Sequence, residues 1–227
     1  MKIVALDTST EACSVALLCG GNSISRYIVE PRMHARKLLP MLDELLAEAE
    51  LRPMQLDGVA FTRGPGAFTG VRIGTAAAQA IALAADIPAL PVSTLAAIAA
   101  RAAREHSFTK IAVAIDARMD EVYWGAYRHA GTQLELMGEE VVCPAADVAV
   151  LDDSWVGAGT GWATYGSELQ AVSGAFSVDQ AADFPHALDV LSIGVRMFEN
   201  GEGVAAESAL PVYLRNKVAK TEAERKI

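Results

Sequence analysis

Apolar residues come in short continuous runs at the start of the chain and at a helical period further along. Residues 2–7 form a compact apolar run that ends in Asp7, and two further runs follow up to residue 30. These runs predict a β-meander with a tight first turn. The leucines after His34 recur every three or four residues, which predicts a helix over residues 34–50. Alternating strands and helices are predicted from there to residue 105.

The stretch from Phe61 to Ile87 has the most distinctive pattern in the chain. It begins with a glycine-rich turn formed by Gly64, Pro65, Gly66 and Gly70. A helix predicted over residues 70–85 follows, and its polar side chains lie on one thin line, at Arg72, Thr75 and Gln79. The rest of this helix is apolar nearly all round. Two explanations remain open: a core helix of this one domain, or a helix that a second protein covers in part.

The second half of the chain repeats the opening plan. KIAVAIDAR, residues 110–118, is an apolar strand pattern with Asp116 near its end, and a second strand pattern follows a polar turn. We therefore predict two similar units, residues 1–105 and 106–227, and expect the last segment to pack back on the first unit. A charged tail is predicted after Arg215.

Composition and charge restrict the classes of partner. Hydrophobic residues make up 52% of the chain and the formal net charge is −9. Because lysine and arginine supply most affinity for phosphates, so acidic a chain is expected to take any role with RNA only indirectly, through another protein. The longest apolar helix is interrupted by Arg72 and Gln79 and closed by Asp86. We therefore expect a soluble, cytoplasmic protein without a membrane partner.

Candidate chemistry is sparse. Three cysteines and four histidines show no zinc-ligand spacing and no hydrolase motif, so neither a metal nor a cofactor is expected. The turn after Asp7 carries hydroxyls and backbone N–H groups that either cradle a phosphate or form a solvated hairpin turn.

Five motifs spread over the whole chain resemble the bacterial TsaB (YeaZ) family, within the actin-like ATPase superfamily. They are DTSTEACSVAL (7–17), HARKLLPMLDELL (34–46), GPGAFTGVRIG (64–74), IDARMDEVYW (115–124) and PVYLR (211–215). The resemblance implies an α/β fold of two similar lobes, each a mixed β-sheet with helices.

This family is similar to TsaD, the catalytic subunit of tRNA threonylcarbamoyladenosine synthesis, and the chain departs from TsaD at two places. Thr94 and Ile98 stand where TsaD-like proteins carry two metal-binding histidines, and neither side chain supplies an imidazole nitrogen. The turn from Asp116 to Asp120 replaces a glycine-containing turn. Its two carboxylates are expected to repel a phosphate. Both departures imply a relative without catalytic activity.

The resemblance implies a scaffold that binds TsaD, recruits the ATPase TsaE, and forms a homodimer when alone. The first-lobe helices would supply the partner interface, at His34, Leu38, Leu42, Leu45, Val71, Arg72, Thr75, Ala76 and Gln79. A charged residue at Val71 or Ala77 is expected to abolish TsaD binding while the monomer stays folded. A lone histidine at a helix start, such as His34, is also common as a capping residue.

The alternative is an active ATP-dependent small-molecule kinase of the same superfamily. It would hold ATP and a metal through a nucleotide loop. Under the scaffold hypothesis, the same loop is vestigial. That loop comprises Asp7, Thr8, Ser9, Thr10, Gly157, Gly159 and Gly161.

Overall fold

The computed structural model describes residues 1–131, 133–152, 155–177 and 182–215, and the tail predicted after Arg215 lies outside these ranges. The first sheet contains five strands in the order β3-β2-β1-β4-β5. Strands β1 to β3 are antiparallel, and β4 and β5 run parallel to β1. Their bounds are β1 Lys2–Asp7, β2 Ala12–Cys19, β3 Asn22–Val29, β4 Gly58–Thr62 and β5 Ala89–Val92.

The second sheet opens with the same antiparallel pairing. Its strand order is β11-β10-β6-β7-β8, and β9 also pairs with β7. Strands β6 and β7 are antiparallel, and β10 runs parallel to β6. Their bounds are β6 Lys110–Arg118, β7 Glu121–Ala130, β8 Gln133–Leu136, β9 Val141–Pro144, β10 Val156–Ala158 and β11 Phe176–Ser177.

Within the described part of the chain, five α-helices cover the two sheets. They are α1 His34–Glu48, α2 Phe68–Ala85, α3 Thr94–His106, α4 Gly161–Ser173 and α5 Ala187–Glu199. Helix α1 ends two residues earlier than its apolar period predicts. Helix α2 begins two residues earlier than predicted, because Ala67 is the last residue with extended dihedral angles and Phe68 already has helical ones.

The first sheet is buried on both faces. Val4 and Leu6 of β1 pack into the cluster that holds the leucines of α1 and the inner side of α2. Ile3 and Ala5, which alternate with them, face Val190 of α5 on the other side. Burial on both faces explains why β1 is a continuous apolar run rather than an alternating one.

Two helices cover the sheet of the opposite half of the chain. Helix α3 precedes residue 106 yet packs on β6 and β7 of the second sheet, and α5 follows residue 106 yet packs on the first sheet. Helix α4 covers the remaining face of the second sheet. The strands divide near residue 106, but a division by sequence alone at that point does not describe where α3 and α5 pack.

Polar contacts join α3 to α5. Arg104 donates two hydrogen bonds of 2.8 Å to the carboxylate of Asp189, which is buried. Burial raises the pKa of Asp189, and the hydrogen bonds from Arg104 oppose that rise. His186 caps α5 by accepting a 3.0 Å hydrogen bond from the backbone N–H of Leu188. Its ring stacks on Tyr27 of β3 at a centroid distance of 4.9 Å.

His186 makes stability depend on pH. Burial, with the positive charges of Arg101 and Arg104 nearby, lowers its pKa from 6.5 to about 4. Because the folded state holds this ring neutral while the unfolded chain protonates it, stability falls as pH drops from about 6.5 to about 4.

Replacing His186 with asparagine tests this prediction, because asparagine keeps the helix cap and does not titrate. We expect H186N to lose less stability than the parent between about pH 7 and about pH 4.5, measured by urea unfolding. The control is H106N, which replaces an exposed histidine of α3. Parallel pH profiles for H186N and the parent would contradict the assignment.

One helix of the described chain, α2, is long and apolar enough to cross a membrane by length and composition alone. Its glycines lie against the first lobe: a Cβ added at Gly70 would come within 2.1 Å of the Thr8 carbonyl oxygen. Helix α2 is therefore a helix of the folded domain in this structure.

Residues after α5 run back along the first lobe. Val204 forms a two-hydrogen-bond bridge with Ala89 of β5. Further along, Gln79 of α2 donates a 2.9 Å hydrogen bond to the Ala209 carbonyl oxygen. The backbone N–H of Val212 then donates to the carbonyl oxygen of Arg63 at 2.8 Å. This path leads the chain to the space between the lobes.

Candidate functional site

A cleft of about 730 Å³ lies between the lobes. The first lobe contributes the turn after β1 and the start of α2, and the second lobe contributes the end of β6 and the start of α4. The last described residues complete the wall. Its charged lining residues are Glu11, Arg72, Asp116, Arg118 and Arg215.

The turn predicted as a phosphate cradle in the first lobe is filled by the chain itself. The Thr8 hydroxyl donates a 2.7 Å hydrogen bond to the Gly70 carbonyl oxygen, and the Ser9 carbonyl oxygen accepts from the Ala67 N–H at 2.7 Å. A Cβ at Gly66 would lie 2.2 Å from that Ser9 oxygen. The glycines therefore let α2 approach the turn, and Thr8, Ser9 and Thr10 are buried.

Asp7 is also committed to internal contacts. Its Oδ1 accepts hydrogen bonds from the Ser9 N–H and hydroxyl and from the Thr62 hydroxyl. Its Oδ2 is buried and has no hydrogen-bond partner among the described residues. Burial raises the pKa of Asp7. Asp7 does not line the cleft.

The glycine-rich loop of the second lobe is closed in the same way. A Cβ at Gly157 would lie 2.4 Å from the indole ring of Trp162, whose Nε1 donates a 2.9 Å hydrogen bond to the Ala112 carbonyl oxygen. Gly159 and Gly161 pack against the backbone of Ala114. None of these three glycines lines the cleft. These contacts are with the chain's own atoms, while in the first lobe Ser9, Thr10 and Gly66 line the cleft.

The acidic turn of the second lobe differs from the sequence expectation. Asp116 accepts a 2.7 Å hydrogen bond from the Arg118 N–H and forms a 3.2 Å ion pair with the Arg118 guanidinium. Asp120 is the other carboxylate of this turn. Asp116 therefore has a cation within two residues, and the repulsion of a phosphate by this turn stays a prediction.

The two positions that replace metal-binding histidines are structural. Thr94 and Ile98 are both fully buried, and the Thr94 N–H donates a 3.0 Å hydrogen bond to the Gly64 carbonyl oxygen. Within the described ranges, no three His, Cys, Asp or Glu side chains lie close enough to hold a metal. The donor set at these positions does not fit a metal.

Six of the nine predicted partner-interface residues are buried in the monomer, so exposure at these positions was predicted wrongly. Leu38, Leu42 and Leu45 belong to the core cluster of the first lobe. His34 is held by a 3.1 Å hydrogen bond between its Nε2 and the Ala12 carbonyl oxygen. Val71 and Thr75 are buried as well. The apolar side of α1 packs against the first sheet of the same chain.

The other three residues lie on the outer side of α2. Arg72 and Ala76 are exposed and Gln79 is half-buried. Their neighbours on this side were not predicted as interface residues: Phe68 is 56% exposed and Leu83 is 76% exposed. We define the outer face of α2 as Phe68, Arg72, Ala76, Ala80 and Leu83. Their spacing of three or four residues was the signal in the sequence that identifies this face.

Tyr213 was the other residue missed. It is exposed, and its hydroxyl accepts a 2.8 Å hydrogen bond from Arg72 Nε. The Arg72 guanidinium carbon lies 3.5 Å from the centroid of the Phe68 ring and 5.6 Å from that of Tyr213. Only tertiary structure joins Tyr213 to α2, because 141 residues separate the two partners.

Comparisons with known proteins agree on one family. The profile of the family described as "TsaD: tRNA N6-adenosine threonylcarbamoyltransferase" matches residues 28–220. The Escherichia coli tRNA threonylcarbamoyladenosine biosynthesis protein TsaB is 41% identical, with 96% of each chain covered. The Haemophilus influenzae protein of the same name is 38% identical over 96% of this chain and 95% of its own.

A solved structure agrees with the sequence relatives. YeaZ from Pseudomonas aeruginosa superposes with a TM-score of 0.89 at 50% identity, covering 94% of this chain and 99% of that one. The predicted actin-like fold of two mixed-sheet lobes is confirmed. The chain belongs to the TsaB (YeaZ) branch of the TsaD-like family, whose named relatives serve bacterial tRNA threonylcarbamoyladenosine biosynthesis.

Proposed function

We propose that this chain is a non-catalytic subunit required for N6-threonylcarbamoyladenosine formation at the tRNA adenosine beside the anticodon. It pairs with TsaD through the outer face of α2, recruits TsaE, and forms a homodimer when alone. It acts in the cytoplasm and needs no cofactor of its own.

The observation that supports the proposal is that glycines in both loops of the expected nucleotide site pack against the chain's own atoms. The Thr8 and Ser9 carbonyl oxygens contact the glycines of the first lobe, and the Trp162 indole covers Gly157. Opening either loop would break buried packing and hydrogen bonds, which proteins rarely give up for a ligand. A chain that is related to a catalytic subunit but packs these loops against its own atoms is better suited to bind that subunit than to catalyse the same reaction.

The outer face of α2 supports a protein partner. It presents Phe68 and Leu83 at its two ends and small alanines between them, so another helix can approach closely. Arg72 lies within this face, and its guanidinium is held in place by Phe68 and Tyr213. Aromatic residues and arginine are enriched at protein interfaces. TsaD is the occupant we propose, since the profile that matches this chain is that of TsaD and similar folds can pair through equivalent helices.

Net charge supports an indirect relation to tRNA. With a formal charge of −9, the chain as a whole repels phosphates, whose binding depends on lysine and arginine. The tRNA would therefore be bound by the partner proteins, and this chain would serve as the scaffold that holds those proteins together.

Reconstitution tests the proposal. Purified TsaD, TsaE, tRNA, ATP and a threonylcarbamoyl donor are combined with and without this chain, and the modified nucleoside is quantified by mass spectrometry. We expect modification only when the chain is present, and no ATP hydrolysis by the chain alone with magnesium. Full modification without the chain would contradict the scaffold. Rapid ATP turnover by the isolated chain would instead favour the kinase alternative, for which the cleft is large enough.

A further inference from the structure

The last described residues cross from one lobe to the other inside the cleft. Residues 212–215, which we name the clamp, all line the cleft. Other contacts between the two halves lie outside the cleft lining, including the ion pair of Arg104 with Asp189 and the hydrogen bond of Ser93 with Glu140. The clamp therefore lies along the cleft, at a place separate from those contacts.

At its first end the clamp is fixed to the first lobe. The Val212 N–H donates a 2.8 Å hydrogen bond to the Arg63 carbonyl oxygen. One residue later, the Tyr213 hydroxyl accepts from Arg72 Nε at 2.8 Å, and the Arg72 guanidinium lies over the Phe68 ring. Phe68 and Arg72 belong to the outer face of α2. The anchor of the clamp is therefore part of the surface that we propose for partner binding.

At its other end the clamp holds the turn between β6 and β7 of the second lobe. The Arg215 guanidinium pairs with the Glu121 carboxylate, donates a 3.3 Å hydrogen bond to the Arg118 carbonyl oxygen, and contacts Met119 Sδ at 3.5 Å. The Arg215 side chain is only 17% exposed. The Arg215 guanidinium thus has three partners and is largely buried, so its ion pair with Glu121 holds its geometry better than an ordinary surface ion pair.

The turn that Arg215 holds has an uncommon backbone. Arg118, Met119 and Asp120 have φ angles of 63°, 61° and 60°, in the left-handed region that residues with a side chain seldom occupy. Such a conformation persists when surrounding contacts fix it. Here Asp116 accepts from the Arg118 N–H on one side, and Arg215 binds the Arg118 carbonyl oxygen on the other.

We propose that the clamp sets the angle between the two lobes, and that a protein covering Arg72 on α2 changes this angle through Tyr213 and Arg215. The second half of the proposal rests on the proposed function. The physical basis is a continuous set of contacts that runs from the outer face of α2 to the β6–β7 turn. A partner that binds Arg72 differently in the open and closed forms shifts the balance between them.

The first test uses the chain alone. Spin labels are attached at A47C in α1 and A171C in α4, both exposed, with Cys19 and Cys143 replaced by serine. Pulsed electron paramagnetic resonance then measures the distance between the lobes. We expect R215A to broaden the distance distribution at least about twofold, and E121A to do the same. The double variant should be no broader than either single variant, because the two side chains act as one pair.

The matched control is R128A, which removes an exposed arginine from β7, the strand that begins at Glu121. R128A should keep the narrow distribution of the parent. A distribution in R215A as narrow as that of the parent would overturn the clamp, whatever the chain binds.

The second test adds purified TsaD to the labelled parent and to the labelled R215A variant. We expect the mean distance to shift in the parent and to stay unchanged in R215A. If TsaD binds the parent without a shift, the coupling is wrong and the proposed function stands. If TsaD does not bind at all, both the coupling and the proposed pairing fail, and the first test alone decides whether the clamp sets the lobe angle.

Discussion

Replacing Ala76 with arginine is expected to weaken binding of TsaD by about 100-fold or more, equivalent to about 3 kcal/mol, while the monomer stays folded. Ala76 is exposed in the middle of the outer face of α2, one helical turn from Arg72. A close helix–helix contact there leaves no room for a long charged side chain, and burying an unpaired guanidinium is costly. Arginine has nearly the helix propensity of alanine, so α2 itself should remain intact.

The control for A76R is A171R, which makes the same change at an exposed alanine of α4 in the second lobe. Isothermal titration calorimetry with TsaD gives the affinities, and thermal unfolding confirms the fold of each variant. The earlier choice of Val71 for this test is unsuitable, because Val71 is 3% exposed and a charge there would unfold the lobe. If A76R and A171R bind TsaD with equal affinity, the outer face of α2 is not part of the interface with TsaD.

Replacing Gly70 with alanine is expected to destabilise the protein by about 3 kcal/mol or more. The added Cβ would lie 2.1 Å from the Thr8 carbonyl oxygen and 3.2 Å from its carbonyl carbon, both backbone atoms. The turn cannot move away freely, since the Thr8 hydroxyl donates to the carbonyl oxygen of Gly70 itself. The gain in helix propensity from glycine to alanine, about 1 kcal/mol, is smaller than the clash.

Gly166 provides the comparison for G70A. It also lies within a helix, α4, but a Cβ added there meets nothing within 4 Å. We expect G166A to be neutral or stabilising by up to about 1 kcal/mol. Urea unfolding of the two variants against the parent measures the difference. An unfolding midpoint for G70A close to that of the parent would contradict the close contact between α2 and the first turn.

The interface prediction shows how sequence patterns can mislead about exposure. In the sequence, the leucines of α1 and the outer residues of α2 both predict apolar surface beyond what one domain needs to bury. Leu38, Leu42 and Leu45 prove to be core, because the first sheet needs cover on the face that α1 packs against. A helical period fixes which residues share a face, but it does not say what lies opposite that face.

The glycine turns show the same limit at the candidate site. Glycines beside a turn are equally suited to admit a phosphate and to admit a neighbouring backbone. Gly66 and Gly70 admit Ser9 and Thr8, and Gly157 admits Trp162. The partner is decided by which atoms the fold brings there, and Trp162 at the start of α4 lies over Gly157 with its Nε1 donating to the Ala112 carbonyl oxygen.

By itself the sequence determined the elements, the repeated plan of the two lobes and the family, because apolar period and local motifs act over a few residues. It also shows Thr94 and Ile98 at the positions where the resemblance to TsaD implies metal-binding histidines. Only tertiary structure decided which apolar faces stay exposed, that α3 and α5 each pack on the sheet of the other half of the chain, and that Tyr213 and Arg215 line the cleft. These features depend on contacts between residues far apart in the chain, which no local pattern encodes.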